Sequence, residues 1–144
     1  MANEPAGLAA RYILQDKVAI GKVAEIIASA SLDPATTGLA VAVVGVHGEL
    51  AAFGAHHSCP PLPRLLAQRK AYTALMLRRS TRLVSEEVKN GSLDMRMLND
   101  AALLPMPGGV PIVINGALVG AIGISGLPAE KDIALADHWA RQFG

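Results

Sequence analysis

The chain has 144 residues, 51% hydrophobic but only 3% aromatic, which points to one domain with a core of Ala, Val, Ile and Leu. Thirteen basic and twelve acidic residues give a net charge of +1, too balanced for a phosphate-tracking surface, and so few aromatics argue against a base-stacking platform. No apolar run reaches membrane-spanning length, MANEPAGLAARY does not read as a secretory signal, and one cysteine excludes an internal disulfide. The expectation is a cytoplasmic protein with neither nucleic acid nor membrane as partner.

Residues 1–10 are expected to be a loosely ordered tail on a single domain spanning 1–144. Asp16 can cap a helix over about 15–32, in which Ile20, Val23, Ala24, Ile27 and Ala28 follow helical spacing before Asp33-Pro34 stops it. Residues 39–46 and 49–54 read as two strands joined at His47-Gly48. The segment 55–61 (AHHSCPP) is a loop, and 62–79 a long central helix. On that helix Ala67, Lys70, Ala71, Ala74, Leu75 and Arg78 form one stripe; Leu65, Leu66, Arg69, Tyr72 and Met76 form another. Thr81 can cap a short helix to about Asn90, ended by Gly91. Residues 92–104 read as partly helical.

The stretch 107–126, PGGVPIVINGALVGAIGISG, carries the strongest signal. Asn115-Gly116 separates two apolar runs, and both residues tolerate the left-handed backbone of a two-residue hairpin turn. The runs are apolar on both alternations, so both faces of the sheet should be covered. A third strand, or an extension of the second, follows. A last helix over about 128–142 has Pro128 at its start and Glu130 and Asp132 near its N-terminus. Two hairpins exclude a doubly wound parallel sheet. The fold class is α/β of the α+β kind, a mainly antiparallel sheet with helices on both faces.

Several residues are candidates for chemistry. His56, His57 and Cys59 offer imidazole and thiolate to a metal, although the second half of a metal signature is missing. Either histidine can also serve as an acid or base near neutral pH. Lys70, on a stripe of small residues, is a candidate base or anion binder if desolvated, or else snorkels to water. Arg78, Arg79 and Arg82 can meet a carboxylate with forked hydrogen bonds, or simply form a solvated helix end. Gly108, Gly109 and Ser125, with the glycines around it, can turn backbone N–H groups toward an anion, or only make tight turns. Ser125 lacks a nucleophile-elbow context.

GGVPI, the hairpin, VGAIGISG and then Asp132 resemble the end of the GlcG/HbpS-like haem-binding family, and KAYTA at 70–74 is similar to its KAxTA segment. The C-terminal domain of PduO-type proteins is similar. The resemblance implies a profilin-like three-layer α/β/α sandwich with about five strands, and a symmetric homo-oligomer. It implies haem or another tetrapyrrole as ligand, with Thr81 in the place of a family threonine that can ligate haem iron. The chain departs from the family where Gly45, and Ala55 to His57, replace its usual polar residues.

Two functional readings follow, beside a third in which the protein is purely a structural or assembly subunit. One is a small-ligand-binding protein taking haem, a tetrapyrrole or another organic anion between sheet and central helix, with Thr81, Arg78, Gly108, Gly109 and Ser125 as ligand-binding residues. The other is an enzyme acting on a small carboxylate, such as a deaminase, hydratase or isomerase, with His56, His57 or Lys70 as catalytic residues. In either, the 55–61 loop is expected to wall the pocket.

Overall fold

Asn115 and Gly116 both have positive φ, 50° and 77°, and make the tight turn their side chains favour. They join β3 (Gly109–Ile114) to β4 (Ala117–Ser125). The computed structural model describes residues 3–143, with side chains from residue 17 onward. β4 pairs antiparallel with β1 (Ala40–Gly45), which pairs antiparallel with β2 (Leu50–Ala55). The sheet order is β2-β1-β4-β3.

The described sheet has four strands rather than about five. Beyond Ser125 the chain leaves the sheet at Gly126, with φ 109°, and the carbonyl of Pro128 accepts the Lys131 and Asp132 N–H groups of a new helix. The apolar run of β4 is therefore one nine-residue strand.

Helix α1 spans Asn3–Ser31, longer than periodicity indicated. Asp16 lies inside it rather than at its start, and Pro5 falls in its first turn, where a missing N–H costs little. The expected tail falls among residues 1–16, whose side chains lie outside the described residues. Helix α2 spans Pro61–Leu77, α3 Thr81–Lys89 and α4 Ala129–Ala140. A 3-10 turn covers Met95–Leu98. Ser80, not Thr81, caps α3, its hydroxyl accepting the Leu83 N–H at 3.4 Å.

Both faces of the sheet are covered, as its double apolar alternation requires. Val41, Val43, Ile122 and Ile124 pack with Val23 and Ile26 of α1 and Ala136 of α4. Burying each such branched side chain stabilises by roughly 1.5–3 kcal/mol. Ala40, Ala42, Val44 and Ala121 pack on the opposite side against Ala67, Ala71 and Ala74 of α2. That layer is thin because its residues are small. A Cβ on Gly123 would sit 2.1 Å from the Ala67 carbonyl oxygen, and one on Gly109 2.2 Å from that of Lys70.

Candidate functional site

The close seat of α2 divides its surface into two flanks. One faces β3 and β4, and there Lys70 is buried, 2% exposed. Its ammonium donates to the Ile124 carbonyl at 3.0 Å and to Asp132 Oδ2 at 3.2 Å. Asp132 Oδ1 accepts the Leu127 N–H at 3.2 Å. Lys70 therefore does not snorkel, and Asp132 is not a surface charge on the first turn of α4. Desolvation pushes Lys70 below its ordinary pKa and Asp132 above its own, and their mutual attraction opposes both shifts without cancelling them.

Thr81, Gly108, Gly109 and Ser125 lie buried in the same region. Thr81 Oγ1 accepts the Gly109 N–H at 2.8 Å. Its hydroxyl thus holds β3 against the start of α3. Arg78 is exposed and left-handed, φ 58°, and ends α2. Arg79 grips Glu87 with two bonds of 2.6 and 2.7 Å, and Arg82 pairs with Glu86 at 3.0 Å. Those two guanidinium groups are committed to internal carboxylates.

The AHHSCPP loop forms a separate unit. His56 and His57 stack with ring centroids 4.1 Å apart, and His56 Nδ1 lies 2.7 Å from Ser58 Oγ. Cys59 is buried, and burial pushes its thiol up while Arg64 pulls it down less strongly. Arg64 is held by the carbonyls of Cys59 and His56, both at 3.0 Å. The expected ligand trio of His56, His57 and Cys59 does not assemble: among the described residues no three His, Cys, Asp or Glu side chains gather to hold a metal ion.

The other flank of α2 opens onto the β1–β2 edge. There a cavity of about 210 Å³ is walled by Val44 and Leu50 from the sheet, by Gly48 from the turn between β1 and β2, and by Leu65, Gln68, Arg69 and Tyr72 from α2. No residue of the 55–61 loop lines it. Gly48, with φ 85°, lets the hairpin turn cross Tyr72, since a Cβ there would meet its ring at 3.1 Å. Tyr72 donates its hydroxyl to Asp100 Oδ2 at 2.5 Å, which raises the phenol's pKa and lowers that of the carboxylate. Gln68 donates its amide to the Arg64 carbonyl at 3.3 Å. Arg69 has no carboxylate within 4 Å among the described residues. Sequence reasoning placed Leu65, Arg69, Tyr72 and Met76 on one stripe but did not choose them for a site. The available signal was a cation and a phenol interleaved with apolar residues at helical spacing.

The fold defines a three-layer α/β/α domain, with an open recess beside its central helix. Residues 14–140 match the family described as haem-degrading protein HbpS-like, and the chain belongs to that family. It is 34% identical over 87 residues to protein GlcG of Escherichia coli K12, covering 60% of this chain and 63% of that one. It is also 34% identical over 74 residues to an uncharacterised 15.0 kDa protein of Citrobacter freundii, covering 50% of this chain and 52% of that one. Both matches span less than two thirds of the relative's length.

Among solved structures, a double mutant of HbpS from Streptomyces reticuli superposes with a TM-score of 0.76 at 24% identity, covering 90% of this chain and 86% of that one. A PduOC–haem complex superposes at 0.74 with 21% identity, covering 84% and 88%. At these identities the likeness is one of fold. Among the described residues no helix is long and apolar enough to cross a membrane.

Proposed function

We propose that this protein binds an amphiphilic organic anion of the tetrapyrrole class, seated in the groove between the β1–β2 edge and α2. The observation that carries the reading is Arg69, a cation without a carboxylate partner among the described residues, set in the wall of an apolar recess. Val44, Leu50 and Leu65 offer apolar walls, and a guanidinium offers a fork for one carboxylate. Along α2 the stripe continues outward through Leu62 and Met76, which are 61% and 49% exposed. Rings too large for the recess can lie on that stripe. HbpS-like membership and the fold shared with a haem-bound protein support this ligand class.

An intact haem would extend beyond the recess onto the exposed stripe of α2. The recess volume of about 210 Å³ falls below the roughly 300–1,000 Å³ of pockets that enclose drug-sized ligands. Of the usual axial ligand types, Tyr72 alone lines it, and that hydroxyl is already bonded to Asp100.

The test is titration of the purified protein with the linear tetrapyrrole biliverdin, followed by visible absorbance. Saturable binding that weakens roughly tenfold or more in Arg69→Ala is expected, about the worth of one charge-assisted hydrogen bond. Binding unaffected by Arg69→Ala would sink the reading.

Self-association is proposed alongside. Outside the groove, Ile20, Leu32, Met97 and Val113 are each more than 50% exposed, and apolar surface of this kind is commonly buried between subunits. Sedimentation at micromolar concentration should show a species heavier than 14.9 kDa; a monomer alone would refute it.

A further inference from the structure

We infer that Asp100 is a positioning residue of the groove: from outside its lining, it holds the Tyr72 ring in place as a fixed wall for the ligand. This rests on the binding reading above and deepens it, because it makes that site depend on a segment of the chain remote from α2 in sequence.

Among the described residues, Tyr72 supplies the one aromatic ring of the recess lining. A ring offers a large apolar contact, so its placement shapes the recess. A half-buried tyrosine on a helix has more than one staggered position open to it. Two contacts restrict this one. At its edge the ring meets the turn between β1 and β2, where a Cβ on Gly48 would lie 3.1 Å from Cε1 and 3.2 Å from Cδ1. At its tip the hydroxyl donates to Asp100 Oδ2 at 2.5 Å.

Asp100 can serve as an anchor because it is itself fixed. Its Oδ1 accepts the Ala102 N–H at 2.9 Å, and its carbonyl accepts the Leu103 N–H at 3.1 Å. Leu104 then donates its N–H to Thr73 Oγ1 at 2.8 Å, and the Thr73 hydroxyl donates to the Arg69 carbonyl at 2.7 Å. The segment 100–104 is thus fastened to α2 at two successive residues, on the turn that carries Arg69. Among the described residues no Lys, Arg or His pairs with the Asp100 carboxylate, so no ion pair accounts for it. Its side-chain partner is the Tyr72 hydroxyl. A hydrogen bond to a charged acceptor is among the stronger ones, and this one forms without a ligand. A wall ordered in advance spares the ligand the entropy of ordering it.

The experiment is a double-variant cycle on biliverdin affinity, read by visible absorbance. It uses the parent, Asp100→Ala, Tyr72→Phe, the two together, and Arg69→Ala, with thermal unfolding recorded to confirm that each folds. Tyr72→Phe keeps the ring and removes the tether. It and Asp100→Ala should each weaken biliverdin roughly three- to tenfold, the worth of one side chain that must now be ordered on binding. Together they should weaken it no further than either alone, within about twofold, because both cut the same link. Effects that multiply would overturn the proposal and leave Asp100 as a shaper of its own loop. Tyr72→Phe binding as tightly as the parent would also overturn it, and that arm stands even where Asp100→Ala fails to fold. Ultraviolet titration gives a second readout. The bond to Asp100 holds the Tyr72 phenol above its usual range, so the tyrosine signal that Tyr72→Phe removes should ionise at lower pH in Asp100→Ala. An unmoved midpoint would overturn the link. If Arg69→Ala weakens biliverdin but neither of the other single variants does, the groove stands and the positioning role falls. If none of the three changes affinity, the binding reading falls with it.

Discussion

Lys70 Nζ lies 3.2 Å from Asp132 Oδ2, a pairing that joins a helix on one face of the sheet to a helix on the other around the end of β4. Both side chains are almost wholly buried, so neither charge has water as an alternative partner. Asp132→Ala should therefore cost about 3–5 kcal/mol in urea unfolding, because it leaves an uncompensated ammonium in the interior. A loss under about 1 kcal/mol would mean that the pair is hydrated or easily replaced.

The pair also sets a pH dependence. Asp132 is raised above 3.8 by desolvation, so the folded state keeps a proton that the unfolded chain releases, and stability falls as pH rises from 3.8. Lys70 is lowered below 10.5 by desolvation, so the folded state loses its proton first, and stability recovers as pH rises toward 10.5. Relative to the double variant Lys70→Met with Asp132→Leu, the parent should show a shallow stability minimum between these limits. The double variant should match or exceed it near neutrality, as apolar replacements of buried pairs often do. Urea midpoints measured across that range, running parallel in the two proteins, would refute this.

Thr81 is predicted to be a structural residue. Thr81→Val keeps the shape but leaves the buried Gly109 N–H without its 2.8 Å acceptor, at a cost of about 1–3 kcal/mol. Thr81→Ser should recover much of that. Neither should shift the absorbance of added haem. A haem spectrum that changes in Thr81→Val without loss of stability would restore the hydroxyl as an iron ligand.

The thin α2 layer makes a further prediction. Gly123→Ala places a methyl 2.1 Å from the Ala67 carbonyl, where backbone blocks it. The helix must lift, and overpacking of this kind typically costs about 1–3 kcal/mol. Gly21→Ala, a site with nothing within 4 Å, is the control and should not destabilise. Equal midpoints for the two variants would count against the close seating of α2.

The 55–61 loop is expected to be a bystander to groove binding. His57→Ala should leave biliverdin affinity within about twofold of the parent, because the loop contributes nothing to the lining. Cys59 is buried with its thiol pushed up, so iodoacetamide should label it slowly in the folded protein and readily in urea. Fast labelling of the native protein would show that the loop opens.

Much of the fold was written locally. Asn115-Gly116 specified its own hairpin turn because only such residues tolerate two successive positive φ angles. The unbroken apolar runs of β1 and β4 required a layer on each face of the sheet, and the Ala stripe of α2 required a close approach. The C-terminal motif identified the family before any contact was known. The interior polar contacts were not legible in this way. Asp132 read simply as a charge in the first turn of a helix, and Lys70 as either a desolvated group on a small-residue stripe or a lysine snorkelling to water, with no partner indicated for either. They meet because α2 and α4 stack on opposite faces at the same end of β4, 62 residues apart in the chain. Tyr72 and Asp100, 28 residues apart, become partners because the segment after the Met95–Leu98 turn runs along α2, where the Leu104 N–H also meets Thr73 Oγ1. Periodicity reports which face of an element is covered, since that depends on neighbours within a few residues. What stands opposite a given polar atom depends on how the layers are stacked, and only the tertiary structure decided that.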